Sequence, residues 1–477
     1  MTNIRKGFSQ LLRGSIIGRL LGASGNIALS RVLSLVNFGS FSLYLQLIQT
    51  AEALSRLGLD YSIGYWVAPD PSLRFRRSKI LLQTGLLLSV LFASITLLGF
   101  SIYLSLPNSS FPLAGQLDNL SLNFLVLSAL AIECFSSIPW EILLIQRKIN
   151  SYSLRIAFFG PLKIIFAVIG AGSMQLTGAI GGWFIGSSLQ LLWLASEVPF
   201  HLIWNRTYPE SLLRSAKALL SKAVPFYSGN LLGQIVFFPL LIALSSSTGV
   251  GSVGIVRISQ IFAQIFGILG GALVPILFVS MRSTKSPEQK SAQLKRAVEA
   301  IWAISLVLFS IFCILDAPLT IKFFGAEYAR SIPVTRVLVS CVIIDSIAQI
   351  IQQSLLVHGK VIRLALTQNV SAVLSALVGF ILIPYFGING YLACRLLYSF
   401  LPGFVTLILA RRIMLSFSID WKLAISAILM ILIIVNSVHN TYSPHGLVER
   451  SLFLVIFLLS LTSGLQQSWI EYKSRWK

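Results

Sequence analysis

Negative charge is scarce in this chain: 16 aspartates and glutamates stand against 37 lysines and arginines in 477 residues, a formal charge of +21. Charge of either sign is scarce too, at 11% of residues, while 55% are hydrophobic and the mean hydropathy is +0.82. A water-soluble domain with a polar surface does not reach such values. Long polar stretches are missing, and with them room for a soluble catalytic domain. There is no G-x-x-x-x-G-K-[ST] loop, because Gly359-Lys360 lacks both the upstream glycine and the following hydroxyl, so ATP is not hydrolysed by this chain. Four cysteines, Cys134, Cys313, Cys341 and Cys394, include no CxxC pair and read as small apolar residues in reduced form. Four histidines, His201, His358, His439 and His445, have no metal-ligand spacing, so neither a metal nor a cofactor is expected.

What is present is a series of apolar stretches of bilayer-crossing length. Fourteen can be drawn, at about 14–35, 40–68, 80–106, 120–145, 153–174, 180–203, 223–246, 252–280, 297–318, 332–356, 364–384, 388–410, 421–440 and 449–468. The fold class is therefore an all-α polytopic membrane protein with about 14 transmembrane helices. With the N-terminus cytoplasmic, the inward segments carry 27 of the 37 lysines and arginines, and the outward loops only Lys322, Arg330 and Arg450. That bias fixes the orientation and places both termini inside. It also accounts for the net charge without nucleic acid, which would require the basic residues on one solvated face. The N-terminus does not read as a cleaved signal, since Arg5, Lys6 and Arg13 are followed by a segment interrupted by Arg19 and Asn26.

Residues 14–68, two hydrophobic stretches meeting at Val36-Asn37-Phe38-Gly39-Ser40, hold the charges that demand explanation: Arg19, Arg31, Arg56, Glu52 and Asp60. A charge near a helix centre costs roughly 2.5 to 3.5 kcal/mol on insertion scales, so it faces a bundle interior or an aqueous cavity rather than lipid. Lys163, Arg257, Arg336 and Arg395 are further cations at membrane depth, and Glu133, Glu141, Glu197 and Asp345 further acids. The pattern points to a cation-lined cavity for an anionic cargo.

An internal repeat orders the chain. One constant offset in the numbering places Phe38-Gly39-Ser40 on Val250-Gly251-Ser252, Leu57-Gly58 on Leu269-Gly270, Glu133 on Asp345 and Lys148 on Lys360. A slip of three then brings Gly178 and Gly181 to Gly387 and Gly390. Six spans per copy is an even number, so the copies share one orientation. The domain reading is a six-helix lobe over 1–203, a cytoplasmic linker over 204–222, a second six-helix lobe over 223–410, and two extra transmembrane helices over 421–468.

With these residues in view, the chain resembles a known family. Arg13-Gly14-Ser15, Ser30-Arg31-Val32-Leu33, Phe38-Gly39-Ser40-Phe41 and Arg56-Leu57-Gly58-Leu59 look like the first two helices of bacterial polysaccharide and lipid-linked oligosaccharide flippases. So do Val224-Pro225, Phe324-Gly325-Ala326-Glu327-Tyr328 and Phe386-Gly387-Ile388-Asn389-Gly390 in the second half. The similarity covers about residues 10 to 410, and the superfamily, the multidrug/oligosaccharidyl-lipid/polysaccharide (MOP) exporters, also contains the MATE exporters and the lipid II flippase. The resemblance implies two six-helix lobes in a V, alternating access, and an undecaprenyl-diphosphate-linked sugar moved from the inner to the outer leaflet of the bacterial inner membrane. It implies that arginines of the first, second and eighth helices line the cavity, which here are Arg19, Arg31, Arg56 and Arg257. Membrane lipids, a polysaccharide polymerase and chain-length machinery are the partners it suggests.

Each assignment has a plainer competitor. Glu52, Arg56 and Asp60 are spaced i, i+4, i+8 and can form an ion-pair ladder along one helix. Arg31 and Arg257 can snorkel to the outer interface, as Arg336 can. Lys163 and Arg395 can pair with acids. Glu52, Asp60, Glu133 and Asp345 serve either ion coupling or charge balance. Arg19 has no acid at i±3 or i±4. Two other functions compete: a cation-coupled MATE-type multidrug exporter, whose cavity would be acidic, and a membrane glycosyltransferase or polymerase, which would need a sizeable outer loop bearing catalytic residues. The short, nearly uncharged outer loops disfavour an enzyme.

Overall fold

A computed structural model describes residues 2–67, 76–105, 120–146, 148–198, 209–283 and 286–413. The described residues are helical, with no strand among them. The helices are α1 (Thr2–Val32), α2 (Leu35–Arg56), α3 (Leu59–Val67), α4 (Arg76–Ser105), α5 (Leu120–Ile145), α6 (Ile149–Leu154), a π-helical turn (Arg155–Phe159) and α7 (Gly160–Glu197). They continue with α8 (Pro209–Thr248), α9 (Gly251–Ser283), α10 (Pro287–Phe323), a 3-10 turn (Ala326–Tyr328), α11 (Ser331–Val357), α12 (Val361–Phe386) and α13 (Ile388–Ile413). Among the described residues, eight helical stretches are long and apolar enough to cross a membrane. The two spans expected at 421–440 and 449–468 lie outside the described residues.

Several expected boundaries move for physical reasons. The span expected at 40–68 is two helices, because Leu57 (φ 44°) and Gly58 (φ 76°) both take the left-handed region and interrupt the ladder. The junction of the first two stretches falls at Ser34, whose side chain caps α2 by accepting from the Asn37 N–H, so that Phe38-Gly39-Ser40 lies inside α2. Gly39 has a different task there: a side chain would strike the Val250 carbonyl, while Gly251 and Gly254 meet Leu35 in turn. The helix α8 begins inside the expected 204–222 linker and runs unbroken into the expected seventh span.

The spans expected at 153–174 and 180–203 are the two arms of a hairpin in α7. The chain reverses at Met174 and Gln175, whose backbone leaves the helix (Gln175 φ 51°, ψ −129°). Glycine makes the hairpin close: a methyl on Gly178 would strike the Gly170 carbonyl, and one on Gly182 the Phe166 carbonyl. Gly186 faces the Lys163 backbone, with an added Cβ only 2.7 Å from its Cα. Small residues four apart let helix backbones touch in an apolar phase, where packing rather than hydrophobicity drives association. The turn between α12 and α13 repeats this geometry in the second half of the chain. Gly387 has φ 54° and ψ −124°, and Gly390 faces the Leu382 carbonyl as Gly178 faces that of Gly170. The turns therefore match Gln175 to Gly387 and Gly178 to Gly390, which is the offset that relates Glu133 to Asp345, with no slip of three.

Two compact units emerge, Met1–Gly254 and Ile255–Lys477. In the first, Leu59, Ile63, Leu82, Trp140, Leu143, Leu194 and Leu219 form a core from α3, α4, α5, α7 and α8. There α8 packs against α2, α3 and α4, and the Ser62 hydroxyl donates to the Leu219 carbonyl at 2.7 Å. In the second, Leu277, Met281, Leu294, Ile301, Ile350 and Ala410 join α9, α10, α11 and α13. The glycine contact predicts that Gly178→Leu lowers the yield of folded protein and its melting temperature, by an overpacking cost of about 1–3 kcal/mol or more. Gly181→Leu, with nothing within 4 Å of its Cβ position, should match the wild type in the same detergent melting and size-exclusion assay.

Candidate functional site

In the first unit the hairpin carries Lys163 into the core, where it is 7% exposed beside a 4% exposed Glu133 from α5. The ammonium donates to Glu133 Oε1 at 2.6 Å, the Ser187 hydroxyl donates to the same oxygen at 2.6 Å, and the Trp183 ring lies 5.7 Å from Nζ. Ser187 follows Gly186, so the contact that closes the hairpin also delivers the second donor. Nearer the expected cytoplasmic side, Glu52 binds Arg56 one turn along α2 and draws Arg155 to 3.8 Å. Arg155 issues from the π-helical turn and lies over Trp140 at 4.7 Å. The Tyr152 hydroxyl donates to Glu141 at 3.4 Å. Glu197 receives Lys148 and Ser151, and Asp60 is near enough to Glu141 for the two charges to repel.

In the second unit Arg336 forks onto a 1% exposed Asp316, with Nε 2.6 Å and Nη2 3.4 Å from its two oxygens. Arg395 reaches Asp345 at 2.7 Å and lies over the Tyr398 ring at 5.2 Å. Glu133 and Asp345, which the sequence offset aligns, are thus each paired with a cation from another helix, but one with a lysine and the other with an arginine. Arg257, on α9, is the exception. It is half-buried, no carboxylate is paired with it among the described residues, and its Nε is buried without a hydrogen-bond partner. Arg19 and Arg31 sit on exposed faces of α1; Arg19 follows Gly18, which packs against the Ile156 carbonyl.

The structure therefore separates the residues that the sequence singles out. Glu52, Arg56, Glu133 and Asp345 are in ion pairs, as are Lys163 and Arg395. Arg336, expected at an interface, is instead held by Asp316, an acid inside the span expected at 297–318 that sequence reasoning passes over. Its i−20 spacing, across the turn between α10 and α11, offers no periodic signal. Arg155 is passed over in the same way, because its approach to Glu52 depends on the π-helical turn. Among the described residues no group of histidine, cysteine and carboxylate side chains could hold a metal.

Breaking one partner of a buried ion pair leaves an uncompensated charge and costs roughly 3 to 5 kcal/mol. Lys163→Met and Glu133→Leu should each lower the amount of folded protein in membranes, and the double variant should recover most of the loss. Equal abundance and melting temperature of both single variants and the wild type would remove the pair from the stability of this unit.

The sequence matches no family model and no curated protein. The structure is similar to that of the lipid II flippase MurJ in an inward closed conformation, with a TM-score of 0.63 and 15% identity, over 98% of this chain and 99% of that one. It is also similar to an inward-facing MATE-family multidrug resistance transporter of the MOP superfamily, with a TM-score of 0.62 and 15% identity, over 83% of this chain and 94% of that one. A MOP-superfamily transporter from Pyrococcus furiosus, described as having a binding pocket of reverse polarity, matches with a TM-score of 0.54 and 16% identity, over 86% of this chain and 95% of that one. The chain thus has the fold of the MOP-superfamily membrane transporters.

Proposed function

We propose that this protein flips an undecaprenyl-diphosphate-linked oligosaccharide, a polysaccharide repeat unit, from the inner to the outer leaflet of the bacterial inner membrane by alternating access. The observation that carries the reading is Arg257: a guanidinium at membrane depth, unmatched by a carboxylate among the described residues, with a buried Nε that lacks a partner. An unmatched cation in a low-dielectric setting is costly unless an anion comes to it. A guanidinium fork stays protonated there and fits phosphate oxygens. Arg19 and Arg31 add positive charge on α1, whereas Arg56, held by Glu52, belongs with charge balance. We assign the same balancing role to Glu52, Glu133 and Asp345, and place Asp60 with them.

A MATE-type multidrug exporter has the same fold. A cationic drug calls for a carboxylate to receive it, and Glu52, Glu133, Asp316 and Asp345 are each already engaged by a lysine or arginine. That engagement favours the anionic cargo. Two six-helix lobes, 1–203 and 223–410, joined by 204–222 and followed by 421–468, fit the reading. The matching turns at Gln175 and Gly387 support the repeat, and the basic inward segments support cytoplasmic termini.

Arg257→Ala should abolish surface glycan while the protein level stays near wild type, because a cargo ligand is not a packing residue. Arg257→Lys should restore export only in part, since an ammonium keeps the charge and loses the fork. Arg19→Ala should follow Arg257→Ala. Full glycan export by Arg257→Ala, or efflux of a cationic dye that needs Glu133 and is indifferent to Arg257, would overturn the reading in favour of drug export.

A further inference from the structure

Lys163–Glu133, Arg336–Asp316 and Arg395–Asp345 each join two helices through a hydrogen bond of 2.6 or 2.7 Å, but only two of these pairs are shut away. The Glu133 and Asp316 side chains are 5% and 1% exposed, whereas that of Asp345 is 23% exposed. Asp316 receives both Nε and Nη2 of its arginine, and Glu133 receives the Ser187 hydroxyl besides its lysine; Asp345 receives Arg395 through Nη2. Charge balance at this place does not call for an arginine. The sequence offset that aligns Glu133 with Asp345 also aligns Lys163 with Ser375, which is fully buried, and Trp183 with Arg395. The second unit thus has a serine at the position of the buried lysine and supplies an arginine from α13 on a more open side.

The pair also lies beside Arg257. On α9, Gln260 follows Arg257 by about one turn and hydrogen-bonds Tyr391 of α13, and Arg395 follows Tyr391 by about one turn. The two arginines therefore flank one contact between the same two helices. They mark different depths. The helices α9 and α11 run in parallel, since Thr335 donates to the Ser259 hydroxyl at 3.0 Å and Gly270 seats against Ser346, two pairs that share one offset. Asp345 is then level with residue 269, about 18 Å along the axes from Arg257. That is more than half of a hydrocarbon core about 30 Å thick. Asp345 stands at the middle of α11, and Arg257 in the second turn of α9.

We propose that Arg395 is a second phosphate-binding residue, and that the Asp345 carboxylate stands on it in place of the cargo phosphate until the cargo displaces it. The proposal rests on the flippase reading and adds to it a station at mid-membrane and a means of release. A carboxylate and a phosphate present oxygens to the same guanidinium fork, so one can take the other's place. The Tyr398 ring, 5.2 Å from the Arg395 guanidinium, holds that cation while its partner changes. Release needs such a competitor. A phosphate on a permanent cation in low dielectric is held tightly, and a tethered carboxylate that returns to the arginine offsets that attraction. The exposure of Asp345 lets the displaced carboxylate be hydrated, which spares it the cost of an uncompensated buried charge. Glu133 and Asp316, shut away from any cargo, have no such role.

The test uses purified full-length protein and two probes, undecaprenyl diphosphate and uncharged undecaprenol, with affinities measured by native mass spectrometry. The wild type should bind the diphosphate more tightly. Asp345→Asn, which removes the competitor, should tighten diphosphate binding roughly fivefold or more and leave undecaprenol binding unchanged. Arg395→Gln should weaken diphosphate binding, and the double variant should lack the gain. Should Asp345→Asn fail to fold, Arg395→Lys keeps the ion pair and loses the fork; it should melt near the wild type and bind the diphosphate several-fold more weakly. Wild-type or weaker diphosphate affinity in folded Asp345→Asn, or wild-type affinity in Arg395→Lys, would overturn the proposal. With Arg257→Ala still weakening the diphosphate, the flippase reading would then stand. Equal wild-type affinity for the two lipids would overturn both.

Discussion

Charge in hydrocarbon has to be matched, and the architecture of this protein follows from how it is matched. Lys163 and Glu133 can share the core of the first unit because Ser187 adds a donor and Trp183 offers its face. That arrangement exists only because the arms of α7 approach backbone to backbone. Gly178, Gly182 and Gly186 supply the approach. The glycines of the hairpin and the ion pair are therefore one device: without the close arms the ammonium would have no carboxylate, and without the carboxylate it would not remain buried.

The same turn, in the second half of the chain, has been fitted with different chemistry. Gly387 adopts the conformation of Gln175, and Asp345 stands where Glu133 stands, but its cation is Arg395, at the place of Trp183. The backbone solution is kept while the cation comes from another helix. The two acids are thus balanced by different cations, a lysine ammonium and an arginine guanidinium.

Arg56, Lys163, Arg336 and Arg395 each face a carboxylate, whereas among the described residues none is paired with Arg257.

Much of this was legible in the residues. Apolar run length set the helical membrane class, the lysine and arginine bias set the expected orientation, and i, i+4 spacing offered Glu52 as a partner for Arg56. Glycine matching suggested a slip of three between the halves that the like turns at Gln175 and Gly387 do not need. Other features depend on distance in space rather than along the chain. Nothing in the sequence ties Lys163 to Glu133, Arg336 to Asp316, or Arg155 to Glu52, because each pair forms across helices whose rotation is set by packing. The break at Leu57-Gly58 and the reversal at Gln175 were likewise hidden, since a leucine and a glutamine carry no local signal for left-handed backbone. The sequence by itself determined which residues must avoid lipid, because that follows from their chemistry. Which of them neutralise one another, and that no carboxylate is paired with Arg257 among the described residues, was decided by the tertiary structure, because only helix packing brings opposite charges within reach.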